Sequence, residues 1–312
     1  MRRVEHLIKQ IRRHTENVTE SGQIAGANDG ISDMEVVEAL SNAQERLVAA
    51  IHLTNNKLLT KESVITPVAS QELYDLPFDI YTDSHIVDFQ WSSTGQARDY
   101  RTLERVSFKE RHQVEGNPTR YILRAKKVLV NPIPTAANQS GLIQYNPRLP
   151  KLDIRRGQVD VATLTADAIT TLTLDNAWGV ALADASFDEI DALCVVDRDG
   201  IIKMKNIPID SVNTTTGAVT VASGFTFDAG ETIAVDDYVV LGEYATTHSE
   251  LPELAERYLL MFSYKRLFFR DCSTETVAQD KELKELEAEI IESIGTISSD
   301  VEYIAILNDE FC

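Results

Sequence analysis

The spacing of apolar residues predicts two helices at the start of the chain. In residues 1–16, four aliphatic residues recur at helical spacing on one face: Val4, Leu7, Ile8 and Ile11. A second helix is predicted from Ser32 to about residue 55, because Ser32 and Glu35 form a capping box ahead of a second periodic run. Between them, residues 21–30 are rich in Gly, Asn and Ser, which indicates a loop.

From residue 63 to residue 150 the pattern changes to a period of two, which is typical of strands. Residues 63–69 and 71–77 are predicted to pair as a short hairpin. Ser107 and Glu110 indicate the cap of a short helix. Further strands are predicted at 85–91, 101–106, 119–125, 127–134 and 142–150. Together these segments predict a small sheet with long loops.

Residues 157–245 have another texture, dominated by Thr, Val, Asp and Gly. Six short apolar runs alternate with turn residues there: QVDVATL, AITTLTL, DALCVVD, GIIKMKNI, GAVTVA and DDYVVLGEY. Such a series predicts a small antiparallel barrel or sandwich. Because its composition differs from that of both neighbours, we interpret residues 155–245 as an inserted β domain, and residues 1–150 with 246–312 as the core.

Helical periodicity returns near the C-terminus. Residues 251–271 are apolar on most sides, which predicts a buried helix. Residues 273–297 carry only a narrow apolar stripe: Leu283, Leu286, Ile290, Ile294 and Ile297. Such a stripe suits one partner helix, either residues 251–271 in a hairpin or a neighbouring subunit. The pattern does not place the tail that follows, which is apolar at Tyr303 and Ile304. The predicted fold class is therefore α+β, in which the N- and C-terminal helices form a helical core with the small sheet and the β insert.

The overall charge excludes several classes of function. The chain has 30 Lys and Arg against 49 Asp and Glu, a net charge of −19. Proteins that coat nucleic acid or dock on anionic membranes need the opposite sign. No apolar run is long enough to span a membrane, and the basic start has no signal-peptide core, so we expect a soluble chain made in a cytoplasm. Three scattered cysteines predict neither a disulfide framework nor a zinc site.

The acidic excess lies in the second half of the chain, whereas residues 98–127 hold nine basic and four acidic residues. This basic segment predicts a surface that meets an acidic patch of another protein, and a solvated face without a partner is the alternative. Its candidate interface residues are Arg98, Arg101, Arg105, Arg111, Arg120, Arg124, Lys126 and Lys127. The stripe on residues 273–297, with Tyr303 and Ile304, completes the candidate interface.

No motif for catalysis or cofactor binding is found. The phosphate loop, the nucleophile elbow, the metalloprotease helix and the dinucleotide fingerprint are all absent from the sequence. Asp197, Asp199 and Gly200 resemble the start of a calcium loop, but a strand follows where further ligands would be needed, so we predict a hairpin turn. We therefore predict no enzyme, with no catalytic, cofactor-binding or metal-binding residues.

Four segments, in order, resemble the head-to-tail adaptor (connector, ring or neck) proteins of tailed bacteriophages. They are the helix SDMEVVEALSNAQERLVAA with Asn42, Ala43 and Gln44, then QELYDLPFDI, then GNPTRYILRAKKVLVNPIP, and finally ELPELAERYLLMFSYKRLF. The β insert resembles those in ring proteins of larger phages, including crAss-like ones.

The resemblance implies a structural protein of the virion neck, assembled in the host bacterial cytoplasm. About twelve copies would form a homo-oligomeric ring that joins the portal protein to downstream tail proteins. The genomic DNA would pass through the lumen during ejection without sequence-specific binding, and the C-terminal tail would reach the portal. The alternative is a carbohydrate- or receptor-binding tail component whose insert is the binding module.

Overall fold

The computed structural model describes residues 3–14, 31–54, 59–82, 85–111, 114–136, 138–165, 168–174, 192–213, 216, 218–222, 225, 231–268 and 273–300. This part of the chain is a mixed α+β fold. Its four α-helices are α1 (Val4–His14), α2 (Asp33–Thr54), α3 (Glu256–Phe268) and α4 (Ser273–Asp300). The chain divides into two compact units, residues 1–46 with 150–287 and residues 47–149 with 288–312.

The two N-terminal helices form where the periodicity predicts them. The four aliphatic residues of α1 are all buried. The capping box at the start of α2 is also present, since the Ser32 amide donates to the Glu35 carboxylate at 2.8 Å and the Glu35 amide donates to Ser32 Oγ at 3.2 Å. Because each side chain satisfies an amide that has no partner within the helix, the box fixes where α2 begins.

Eight strands are described between residues 59 and 149: β1 (Lys61–Ile65), β2 (Leu73–Asp75), β3 (Ile86–Ser92), β4 (Tyr100–Thr102), β5 (Glu104–Arg105), β6 (Arg120–Arg124), β7 (Lys127–Asn131) and β8 (Ser140–Tyr145). They form two four-stranded sheets, in the orders β1-β8-β3-β4 and β2-β7-β6-β5. Both sheets contribute to one core, in which Phe89 packs edge-to-face against Trp91 and Tyr121.

Two predictions for this region are wrong. Residues 63–69 and 71–77 do not form a hairpin, because β1 pairs with β8 and β2 pairs with β7. The prediction of one small sheet also fails, since there are two. The alternating pattern reports only that a segment is extended and has one buried face. Ile65 and Tyr74 bury those faces in the shared core, but from different sheets.

The second β region is a closed barrel. Its strands are β10 (Gly157–Thr165), β11 (Ala168–Leu174), β12 (Ala192–Val196), β13 (Ile202–Asn213), β14 (Ala218–Val221) and β15 (Tyr238–Leu241). They close in the order β10-β11-β14-β13-β12-β15 around an apolar interior. Each of the six apolar runs seen in the sequence overlaps one of these strands.

The predicted hairpin turn joins β12 to β13. Asp197 Oδ1 accepts hydrogen bonds from the amides of Asp199 and Ile201, at 2.9 and 2.8 Å. Gly200 has a φ of +87°, which explains the glycine. A Cβ there would lie 2.3 Å from Nδ1 of His248, so the turn is packed closely against the segment that follows the barrel.

The chain enters and leaves the barrel at adjacent points. Strand β9 (Lys151–Leu152) pairs in parallel with β16 (Ala245–Thr246). Helix α2 holds both ends: Ser41 Oγ lies 3.1 Å from both the amide and the carbonyl of Leu152. Gln44, only 3% exposed, donates to the Pro150 carbonyl and accepts from Ser249 Oγ, each at 2.8 Å. These bonds fix the base of the barrel.

One side of the barrel is buried on its outer face as well. Every residue of β12 and β15 is buried. Alternate residues point into the interior, while Cys194, Val196, Tyr238 and Val240 form a second apolar cluster with Ala245 on the outside. Helix α1 is also joined to the barrel region, since Arg155 Nε donates to Glu5 at 2.6 Å.

We predict that Gln44→Ala destabilises the fold. The substitution leaves the Pro150 carbonyl and the Ser249 hydroxyl without their buried partner, which costs about 1–3 kcal/mol of the free energy of unfolding. The matched control is Asn42→Ala, because among the described residues the Asn42 side chain bonds only the Glu38 carbonyl of its own helix. Urea unfolding of both variants measures the difference. Equal stability of the two would contradict the role given to Gln44.

Candidate interaction surface

The predicted basic residues lie on strands and turns of the two sheets. Arg98 lies in a short 3₁₀ turn (Ala97–Asp99) before β4, and Arg101 lies in β4 itself. The rest belong to the second sheet, where Arg105 is in β5 and Arg111 follows the 3₁₀ turn Phe108–Glu110. Strand β6, strand β7 and the turn between them carry the other four: Arg120, Arg124, Lys126 and Lys127.

Three of these eight cations are paired with acids of the same chain. Arg111 bonds the carboxylate of Glu72. Lys127 Nζ lies 2.8 Å from Asp75 on the neighbouring strand, and Arg120 Nε lies 3.5 Å from Glu104. The last two pairs are substantially exposed, so they contribute little to stability. They do balance the charge of these cations locally.

Five of the eight form no ion pair with any described residue, and all five are exposed: Arg98, Arg101, Arg105, Arg124 and Lys126. Arg105 lies near enough to the Tyr121 hydroxyl to oppose the rise that burial causes in the pKa of Tyr121. This surplus of positive charge lies in a chain whose net charge is −19.

Among the described aromatic residues of the basic segment, one is strongly exposed. Tyr121 is buried, and the Tyr100 hydroxyl bonds Ser140 Oγ at 2.8 Å. Phe108 is 53% exposed, with the guanidinium carbons of Arg111 and Arg124 at 5.7 and 5.9 Å from its ring centroid. Phe108 is not among the interface residues predicted from the sequence, because the exposure of a side chain depends on which residues pack over it in the fold.

Part of the apolar stripe on α4 is buried within the chain. Leu283, Leu286 and Ile290 are buried. Residues of α3 and α4 join the two helices, since Arg257 Nη2 donates to Glu282 at 3.0 Å and Lys265 bonds Asp280. The pairing of α4 with α3, one of the two alternatives predicted for the stripe, is therefore present. The side chains of Ile294 and Ile297, and all of Tyr303 and Ile304, lie outside the described part of the chain.

A cavity of about 320 Å³ lies beside the α3–α4 pair, and Arg46, Tyr258 and Phe262 line it. Burial and the carboxylate of Glu287 raise the pKa of Tyr258 to about 12. At neutral pH the hydroxyl therefore stays protonated and donates to Glu287, at 3.4 Å. Arg46 lies over the Phe262 ring at 5.3 Å. The arrangement is suited to packing two helices rather than to proton transfer.

A buried histidine lies near the end of α2. His52 is 4% exposed, and its Nε2 lies 3.3 Å from the Pro147 carbonyl. Its Nδ1 is buried with no hydrogen-bond partner among the described residues. The rings of Tyr81 and His85 lie 5.1 and 6.0 Å away. Burial lowers the pKa of His52 below 6.5 and the charge of His85 lowers it further, against the opposing effect of the Pro147 carbonyl.

The described residues contain no group of three or more His, Cys, Asp and Glu side chains placed to hold a metal ion. Within the same residues, no helix combines the length and the apolar character that crossing a membrane requires.

Comparison with known proteins identifies the family. The chain matches the model of the SU10 adaptor protein family over residues 3–189, a span that includes α1, α2, both sheets and the first two barrel strands. No curated protein matches the chain. Because the match covers more than half of the sequence, the chain belongs to the SU10 adaptor protein family, a family of phage head-to-tail adaptors.

Family membership confirms the resemblance found in the sequence. The chain is a structural adaptor protein of a bacteriophage. It is a component of the virion that associates with other proteins of the neck or tail.

We predict that acid destabilises the fold through His52. Its pKa is lower in the folded protein than the ordinary value of 6.5, so the unfolded chain binds more protons as the pH falls through this range. Stability is then lost as the pH falls from about 7 toward the pKa of the folded state. His52→Gln removes this contribution, so the free energy of unfolding should depend less on pH.

Urea unfolding between pH 5 and pH 8 measures the slope. The control is His6→Gln, which makes the same chemical change at an exposed position. A His52→Gln slope equal to that of the wild type would show that His52 does not carry the dependence.

Proposed function

We propose that the chain is a ring-forming head-to-tail adaptor that joins the portal to the tail and extends the DNA channel. About twelve copies would form the ring, in line with the closed symmetry of most homo-oligomers. The observation that carries the proposal is the family match over residues 3–189. The role is structural and requires no catalysis.

The charge distribution supports passage of DNA through such a ring. Residues 151–245 hold 6 basic and 16 acidic groups, and residues 246–312 hold 6 and 15. Acidic surfaces that face the lumen would repel the phosphates, so that the genome slides without binding. The positive charge of the sheet region is then available for protein partners.

We further propose that residues 155–245 are an inserted domain in a core made of residues 1–150 and 246–312. The pairing of β9 with β16 supports this, because it places the two ends of the segment side by side. The strand order supports it too, since all six barrel strands lie between those ends and close on one another.

The interface proposal has two parts. The unpaired basic residues of the sheets would meet an acidic surface of a neighbouring subunit or tail ring. The C-terminal tail, including Tyr303 and Ile304, would dock on the portal together with the end of α4 at Ile294 and Ile297. The exposure of Arg98, Arg101 and Arg105 supports the first part.

We predict that the triple substitution Arg98→Glu, Arg101→Glu and Arg105→Glu slows ring assembly, because opposite charges across an interface govern the association rate. Negative-stain images should show rings for the wild-type chain, alone or with portal protein. Light scattering at several salt concentrations measures the rate.

The control changes the charge equally at exposed positions elsewhere: Lys9→Glu, Arg13→Glu and Lys151→Glu. It should assemble faster than the test variant. Absence of rings in the wild type, even with portal, would contradict the proposed function. Equal rates for the two triple variants would contradict only the role of the arginines.

We predict that residues 155–246 fold alone but self-associate. The barrel closes on itself, so a cooperative melt with a β-type circular dichroism spectrum is expected. The fragment also exposes the outer apolar face of β12 and β15, which favours association. Val196→Thr with Val240→Thr keeps the side-chain shape and makes that face polar, so this variant should sediment as a monomer. A fragment without a cooperative melt would contradict the independent domain.

A further inference from the structure

We propose that Phe108 is the anchor by which one copy of this chain docks on helix α4 of a second copy. The inference rests on the proposed ring, and it adds the residues that would make one contact between neighbouring subunits. Two surfaces of the chain carry it, and each is exposed among the described residues.

The anchor is an aromatic ring flanked by two guanidinium groups. Phe108 is 53% exposed. Burying an apolar side chain of this size is favourable, so its exposed surface is available to stabilise a contact with another chain. Arg111 and Arg124 lie at 5.7 and 5.9 Å from the ring centroid. Arg111 donates to the Glu72 carboxylate, which fixes its guanidinium group beside the ring. Aromatic and Arg side chains are enriched at the centres of protein interfaces.

The complementary surface is one face of α4. Glu285, Ala288, Glu289 and Glu292 follow one another at positions i, i+3, i+4 and i+7, and all four are exposed. Four residues at this spacing form the hole that receives a side chain from a facing element. Ala288 leaves room in that hole for an aromatic ring, and the three glutamates surround it with negative charge.

The two surfaces match in size and in charge. The distances to the Phe108 ring allow the two guanidinium carbons to lie at most about 12 Å apart. Glu292 follows Glu285 by seven positions, which is about 10 Å along the helix axis at 1.5 Å per residue. A ring seated on Ala288 would bring the two guanidinium groups beside it close to the surrounding glutamates.

We assign the contact of Phe108 to helix α4 of a second copy, and not to α4 of its own chain. Glu289 and Glu292 form no ion pair with any described residue of their own chain. Every copy carries both the anchor and the hole, and they are made of different residues. A contact of this kind, in which one patch meets a different patch on the next copy, is the kind that builds rings.

The first test compares Phe108→Ala with Val235→Ala, an apolar residue of the barrel region that is 64% exposed. Sedimentation velocity of the full-length chain measures self-association, and thermal melting confirms that each variant is folded. Loss of a central aromatic anchor should weaken association at least about tenfold, whereas Val235→Ala should match the wild type.

The second test exchanges the charges. Arg124→Glu and Glu289→Arg should each weaken association, because each places like charges together. The double variant should recover most of the loss, since every contact in the ring then has opposite charges again. Recovery of this kind is not expected if either substitution only disturbs the fold.

Two results would overturn the inference: self-association of Phe108→Ala equal to the wild type, or a double variant no better than the weaker single variant. A wild-type chain that stays monomeric without portal would also overturn it. These outcomes are distinct from failure of the proposed function, which requires that rings be absent with portal as well.

Discussion

The hydrogen bonds that Ser41 and Gln44 of α2 make at the base of the barrel are the constraint on which much of the fold depends. The carbonyls of Pro150 and Leu152 and the hydroxyl of Ser249 lie in a buried region where water cannot replace a lost partner. Leaving such a group unpaired costs about 1–3 kcal/mol, a large part of the stability of an ordinary domain. The barrel therefore starts and ends where α2 can bond both strands of its base.

The helices and strands of this fold can be predicted from the sequence better than the pairing of the strands. Helices α1 and α2 and all six barrel strands follow from periodicity, because one buried face imposes a local pattern. The partner of β1 is β8, about 80 residues later in the chain, and no local pattern carries that information. For the same reason the predicted hairpin at 63–77 was wrong, although both segments contain strands as predicted.

For the candidate surface, too, the sequence predicts the location of the residues but not their contacts. Composition alone located the basic segment, but which cations are paired depends on strands that meet only in the fold. Asp75 lies beside Lys127 because β2 pairs with β7, and Glu72 reaches Arg111 from the same part of the chain. Phe108 differs from Tyr121 in the same way, since only the fold determines which of the two is covered.

The family match ends inside the barrel, and the pairing of the barrel strands explains why the strands beyond the match are needed. The match ends at residue 189, after β10 and β11 but before the other four barrel strands. Strand β10 pairs with β15, and β11 pairs with β14, so both matched strands need partners from beyond the match. A chain with only the matched pair would have two open edges, and open edges promote aggregation. Strands β12 to β15 are therefore required wherever β10 and β11 form a barrel of this kind.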